Sequence, residues 1–398
     1  MKEKFLRELA DIQTGPFGSQ LHKEDYVADG TPIVTVEHLG NKMFSEQNLP
    51  RVSNTDKNRL KKYVLKQGDI VFSRVGSVDR CSYVDQKHDG WMFSGRCLRV
   101  RPTSEIDSEY LYYYFCLEET KQFVRNIAVG ATMPSINTKL LGEVVVTFPE
   151  LEQQKRISGI LSAIDSKIEV NQKINDNLEQ QAAALFKSWF VDFSLFGGTV
   201  PENWEDTTLE NITTLITRGI APKYSNDSDQ TVINQKCIRN HTIDLSLARS
   251  HTPKAINEKW LQFGDLLINS TGDGTLGRVA QVWFTPKSLT VDSHVTIVRP
   301  AREELIFYIG LWGILHEKEI ESLHTGSTGQ TELPRDRVKM LKLLLPDNIS
   351  LSRFNSIIAP MASTIILNQE ENQKLASLRD TLLPKLMSGE IDVSSIQL

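Results

Sequence analysis

The residues most open to a chemical reading are Gly272-Asp273-Gly274-Thr275-Leu276-Gly277, which follow the strand-like run Gly264-Asp265-Leu266-Leu267-Ile268. A GxGxxG run between a strand and a helix lets backbone amides and a helix N-terminus grip a pyrophosphate or a similar anion. Here the continuation, Arg278-Val279-Ala280-Gln281-Val282-Trp283, alternates like a strand, so no helix opens after the loop. The matching place earlier in the chain, Ser73-Arg74-Val75-Gly76-Ser77-Val78-Asp79-Arg80, lacks the three glycines. The run therefore reads as a variable hairpin loop on a constant strand.

Other catalytic patterns are missing. Neither Asn-Pro-Pro nor Asp-Pro-Pro occurs, so a site that grips a flipped base for amino-methylation is not encoded. There is no GxxxxGK[ST], and Gly326-Ser327-Thr328-Gly329-Gln330-Thr331 lacks the lysine of a phosphate loop. Asp85-Gln86-Lys87 is half of a metal-nuclease pattern without its companion carboxylate. The eight histidines are scattered, and Cys81, Cys97, Cys116 and Cys237 show no CxxC spacing, so neither a metal centre nor a disulfide framework is expected. No catalysis is expected of this chain.

The 398 residues suffice for two or three domains, and 40% apolar with 24% charged residues is an ordinary globular balance. Met1 to Ile12 has no apolar run long enough for a signal peptide, and no later stretch approaches a membrane span, so cytoplasmic residence is expected. Basic residues number 20 against 19 acidic in residues 1–148, 5 against 7 in 149–195, 16 against 18 in 196–346 and 4 against 6 in 347–398. A chain that holds DNA alone usually carries a basic excess. A DNA reader of this composition must cluster its positive charge or borrow it from partners.

The elements that would position any site are organised by two long helices. Ile157, Leu161, Ile164, Ile168, Asn171, Asn175, Leu178, Ala182, Leu185 and Trp189 recur at alternating steps of four and three. This stripe asks for a partner helix. Adding 197 gives Phe354, Ile358, Met361, Ile365, Asn368, Asn372, Leu375, Arg379, Leu382 and Leu386, a second copy in step. Asparagines in an apolar seam fix register, because a misaligned amide is buried without a bond. An antiparallel intramolecular coiled coil is expected, each helix about 60 Å long at about 1.5 Å per residue.

The rest of the chain repeats too. Glu8 to Ile12 is echoed by Thr208 to Ile212, Gly68-Asp69-Ile70-Val71-Phe72 by Gly264 to Ile268, Leu98 to Pro102 by Thr296 to Pro300, and Gly130 to Met133 by Gly326 to Gly329. In the first copy strands are expected at Thr31–Val36, Gly68–Ser73, Ser82–Asp85, Leu98–Arg101 and Glu143–Phe148, with one helix at Ser108–Arg125. Pro360 should kink or interrupt the first turns of the second long helix and Pro384 should end it. The expected class is α/β (α+β): two similar mixed α/β domains at 1–148 and 196–346, a central spacer helix at 149–195, and a C-terminal spacer helix with its tail at 347–398.

Glu152-Gln153-Gln154-Lys155-Arg156-Ile157, Leu185-Phe186-Lys187-Ser188-Trp189-Phe190-Val191-Asp192-Phe193 and Leu378-Arg379-Asp380-Thr381-Leu382-Leu383-Pro384-Lys385-Leu386-Met387-Ser388-Gly389-Glu390 resemble the conserved regions of type I restriction-modification specificity subunits. The resemblance implies two target-recognition domains, each reading half of a bipartite DNA sequence, and helices that dock two methyltransferase subunits, which in turn recruit restriction subunits. It implies no cofactor in this chain, with S-adenosylmethionine, ATP and Mg held by those partners. Base reading needs forked donors and amides near loop tips. The candidates are Thr14, Gly15 and Ser19 within Thr14–Ser19, with Arg74, Ser77, Arg80 and Lys139, in the first domain. In the second they are Arg218, Lys223, Thr271, Asp273, Thr275, Arg278, Ser327, Thr328 and Gln330. The competing reading is a coiled-coil scaffold whose two heads bind proteins and have no DNA role.

Overall fold

The computed structural model describes residues 1–16, 20–40, 42–272, 274–326 and 331–394. Its contacts separate two units: Met1–Val170 with Asn372–Leu398, and Asn171–Glu371. Each long helix therefore contributes one half to each unit.

In the first unit β1 (Ala10–Thr14), β2 (Ile70–Ser73), β3 (Cys81–Tyr83) and β4 (Cys97–Pro102) form an antiparallel sheet in the order β1-β4-β2-β3. Alternate residues of a strand face opposite sides. Ile70, Phe72, Leu98 and Val100 enter one core with Tyr110 and Tyr113, while Val71 and Cys97 enter another with Ile33 and Phe93. Burial on both faces explains why Ile70-Val71-Phe72 is apolar throughout. Thr31–Val34 runs parallel to Met92–Phe93 in a second sheet, and Lys2–Phe5 pairs with Val145–Phe148 in a third.

The second unit repeats this plan. β5 (Thr213–Arg218), β6 (Leu266–Asn269), β7 (Val279–Gln281) and β8 (Val295–Pro300) pair in the order β5-β8-β6-β7. Thr231–Ile233 runs parallel to Leu289–Val291, and Glu205–Thr208 pairs with Lys342–Leu345. The repeated Gly-Asp and Arg-Pro pairs prove structural. Arg101 holds buried Asp69 through Nε and Nη2, both at 2.7 Å, and Arg299 holds buried Asp265 at 2.8 and 2.7 Å. Such forked pairs close the strand entry of each sheet, and removing one partner strands a buried charge.

The long helices are Leu151–Phe190 and Asn348–Ser388. Within the first unit Ile157 and Leu161 share a core with Leu383, Leu386 and Met387, and Arg379 Nη1 donates to Asp165 at 2.8 Å. Within the second, Asn368 Nδ2 donates to Asn175 Oδ1 at 2.8 Å, and Asn171 Nδ2 donates to Glu371 at 2.7 Å. Rising numbers meet falling numbers in both places, so the pairing is antiparallel. Asn175 finds an asparagine across the seam. Asn171 instead meets a carboxylate. Stripe residues Ile164, Ile168, Leu178, Leu185, Met361, Asn372, Leu375 and Leu382 are half-buried, while Trp189, Phe354, Ile358 and Ile365 are buried.

Several sequence expectations are corrected. Pro384 does not end its helix, which continues to Ser388 and stops at Gly389 with φ 78°. Nor does Pro360 interrupt it. Burying Leu383, Leu386 and Met387, at about 1.5–3 kcal/mol each, outweighs the roughly 3 kcal/mol cost of an internal proline. Ile358 and Ala362 do the same around Pro360. Residues 108–125 are not one helix: Ser108–Cys116 and Glu118–Ile127 are separated at Leu117, ψ 134°. The strand from Thr31 ends at Val34, and Val36–His38 forms a 3₁₀ turn.

Candidate nucleic-acid interface

In each unit one edge of the four-stranded sheet gathers the loops singled out above. β1 and β2 end there and β3 and β4 begin there, since Thr14 faces Leu98 and Ser73 faces Cys97. The loops are cross-linked by backbone hydrogen bonds. Gly15 N–H donates to Cys97 O at 3.2 Å, Arg74 N–H to Arg96 O at 2.9 Å, and Ile136 N–H to Arg74 O at 2.9 Å. Val129 and Ser135 exchange bonds of 2.9 and 2.8 Å, and Ser135 also bridges to Val75.

The second unit has the same frame with other residues. Gly219 N–H donates to Val295 O at 3.1 Å, Ser270 N–H to His294 O at 2.8 Å, and Leu333 N–H to Ser270 O at 2.8 Å. Thr325 and Glu332 exchange bonds of 2.8 and 2.9 Å, and Glu332 bridges to Thr271. Position by position, Thr14 matches Arg218, Arg74 matches Ser270, Arg96 matches His294 and Ser135 matches Glu332. Gly15 and Gly219 are fixed by close approach: a Cβ would stand 2.1 Å from Ser94 O in one and 1.9 Å from Val291 O in the other.

The side chains give the two edges different chemistry. In the first, Arg80, Arg96 and Ser77 are exposed, and half-buried Arg74 donates to Gly95 O at 3.0 Å. Asp79 is ion-paired with Arg125 at 2.6 Å, so the edge is basic. Lys139 lies one element away, exposed on the short helix Thr138–Leu141. In the second, Arg218 is paired with Glu332 at 2.7 Å and donates to Leu333 O at 2.9 Å. Thr271 Oγ1 stands 2.7 Å from Nδ1 of exposed His294 and donates to Gln235 at 3.2 Å. Burial pushes the Asp292 carboxyl up, against the His294 N–H bond that lowers it. This edge is a mixed polar network able to donate and accept.

The other candidates take lesser places. Arg278 donates to Gly274 O at 2.7 Å and Thr275 to Thr271 O at 3.3 Å, so both stitch the hairpin between β6 and β7 that replaces a phosphate loop. Lys223 is exposed, and its carbonyl accepts from Thr252. Ser19, Asp273, Ser327, Thr328 and Gln330 lie outside the described residues. Sequence reasoning missed Arg96, His294, Gln235 and Glu332. Extending the Leu98/Thr296 strand echo backward by two or three residues would have found the first two. Among the described residues no His, Cys, Asp and Glu group is placed to hold a metal, and no helix is long and apolar enough to cross a membrane.

Comparison with known proteins finds chains that are similar to this one. Residues 1–180 match the type I restriction modification DNA specificity domain. The type I restriction enzyme MjaIX specificity subunit of Methanocaldococcus jannaschii is 27% identical, covering 75% of this chain and 72% of its own. The HindI specificity subunit of Haemophilus influenzae is 24% identical over 83% of this chain and 88% of its own. The crystal structure of the type I restriction-modification S subunit from M. genitalium has the same fold, with a TM-score of 0.58 at 17% identity, covering 97% and 95% of the two chains. Residues 1–180 thus match a DNA specificity domain model, and the chain is similar over most of its length to type I restriction enzyme specificity subunits.

Proposed function

We propose that this chain is a type I specificity subunit, a recognition component without catalysis of its own, and that it reads a bipartite double-stranded DNA target, one half with each loop edge. The observation that carries it is a single hydrogen-bonded frame presenting different groups at matched positions: Arg74 or Ser270, Arg96 or His294, Ser135 or Glu332. Base pairs differ at their groove edges only in donors, acceptors and the thymine methyl, so two readers of different sequences need that combination. Arginine at the first edge suits guanine, and Glu332 at the second can accept from a cytosine amino group. The near-neutral balance is compatible with binding if methyltransferase and restriction subunits, docked on the long helices, supply many of the phosphate contacts. In that assembly S-adenosylmethionine, ATP and Mg belong to the partners, and the work is done in the cytoplasm.

The test uses the full chain with its methyltransferase partner and genome-wide methylation mapping. Arg96→Ala should relax discrimination within the first half-site and His294→Ala within the second. Each should cost about 1–3 kcal/mol, roughly 5- to 150-fold. Equal loss at both halves from either change refutes separate readers.

A further inference from the structure

We propose a specificity contact beyond the polar ones: Met133, at the tip of the hairpin Val129–Ser135, packs on the 5-methyl group of a thymine in the first half-site. This rests on the DNA-reading role above. Met133 is 62% exposed and Val129 64%, and neither belongs to a core. The hairpin beneath them is firmly held. Val129 and Ser135 exchange two bonds, Ser135 bridges to Val75, and Gly76 N–H donates to Pro134 O at 2.8 Å. Two large apolar side chains thus stand in water on the same loop edge as Arg74, Arg80 and Arg96.

The fold does not require them there. The matching hairpin of the second unit has Thr325 in place of Val129, bonded in the same way to Glu332. By sequence its tip reads Gly326-Ser327-Thr328-Gly329-Gln330-Thr331, with no apolar side chain. The apolar tip is therefore a property of one reader and not of the scaffold. Among arginines suited to phosphates and guanines, an unbranched thioether side chain has one matching feature on a base edge, the thymine methyl in the major groove. The basic surroundings favour DNA over a protein surface as the occupant.

The experiment uses the full chain with its methyltransferase and the target read from methylation mapping. Each thymine of the first half-site is replaced in turn by deoxyuridine, which lacks only the methyl, and dissociation constants are measured for wild type, Met133→Ala and Met133→Leu. Wild type and Met133→Leu should each lose about 4-fold at one position, the worth of one buried methyl. Met133→Ala should bind more weakly and be indifferent to that replacement, with an unchanged melting temperature. Substitutions in the second half-site should affect all three proteins equally. A first half-site without thymine overturns the proposal. So does equal deoxyuridine sensitivity in wild type and Met133→Ala, or a Met133→Ala defect in methyltransferase assembly with unchanged DNA binding. If wild type methylates no bipartite target, the DNA-reading role itself fails, which is a separate result.

Discussion

Asp165 offers the sharpest test of how the first unit is held to its helices. Its carboxylate accepts from Tyr113 Oη at 2.6 Å and from Arg379 Nη1 at 2.8 Å, with the Asp165 side chain 12% exposed and that of Arg379 28%. Burial first, and then Asp165, pushes the Tyr113 hydroxyl well above its ordinary range, so it remains a donor. The corresponding seam positions of the second unit are apolar: Ala362 and Ala182 are buried, as is Leu311 on the helix Ile306–Leu315. Asp165→Leu alone leaves a phenol without its acceptor and a guanidinium with only Asp380 beside it. A fully buried pair broken this way costs 3–5 kcal/mol; partial exposure of Arg379 reduces that to about 2–3 kcal/mol. For a unit of this size the melting temperature should fall by roughly 5–10 °C. Replacing all three groups, Asp165→Leu/Arg379→Met/Tyr113→Phe, removes the stranded polar atoms and should restore wild-type stability or exceed it. Calorimetry on both variants and on Arg379→Met/Tyr113→Phe, which closes the mutant cycle, measures the coupling. A triple variant less stable than Asp165→Leu alone would refute the argument.

Three other changes have defined outcomes. His241 is held above its usual 6.5 chiefly by its hydrogen bond to Glu317; Glu317, though burial pushes it up, is brought below 4.5 by His241 and the Val279 N–H. The histidine contribution is complete below pH 6.5 and fades as pH rises through the raised value; the glutamate contribution is complete above pH 4.5 and fades on acidification. Urea midpoints should therefore drop from pH 5.5 to 8.5 in wild type and drop less in His241→Gln, and parallel slopes would contradict this. Asn175→Leu/Asn368→Leu removes both amides of the seam pair, so the chain should melt higher while light scattering detects mispaired oligomers; a strictly monomeric variant would deny the amides a role in register. Gly219→Ala puts a carbon 1.9 Å from Val291 O and should cost about 1–3 kcal/mol through backbone displacement, with DNA discrimination lost in the second half-site first; an undisturbed second half-site would count against that edge as a reader.

What could be read from sequence was whatever the duplication displayed. The helix stripes, the Gly-Asp strands and the hairpin reading of Gly272–Gly277 rest on periodicity and on comparing one half of the chain with the other. The misses have physical causes. Pro384 looked like a stop because local geometry disfavours it, but the cores around Leu383 and Leu386 are non-local. Leu117 carries no glycine or proline signal, so the break there is not legible locally. Arg96 and His294 resemble ordinary loop polars until antiparallel pairing sets them beside Arg74 and Ser270. The Asp69–Arg101 clamp was visible as two echoes, yet nothing in either said that they touch.

The division of the chain has a consequence for how it is made. The core that holds Ile157 and Leu161 is closed by Leu383, Leu386, Met387 and Val393, which leave the ribosome only after residues 171–371. At about 5–20 residues per second, translating the intervening 171–371 segment takes roughly 10–40 s. During that interval residues 1–170 wait with an uncovered apolar seam, while residues 171–371 can finish folding first. Birth order and maturation order are thus reversed, and the nascent chain is the form most exposed to chaperones and to aggregation.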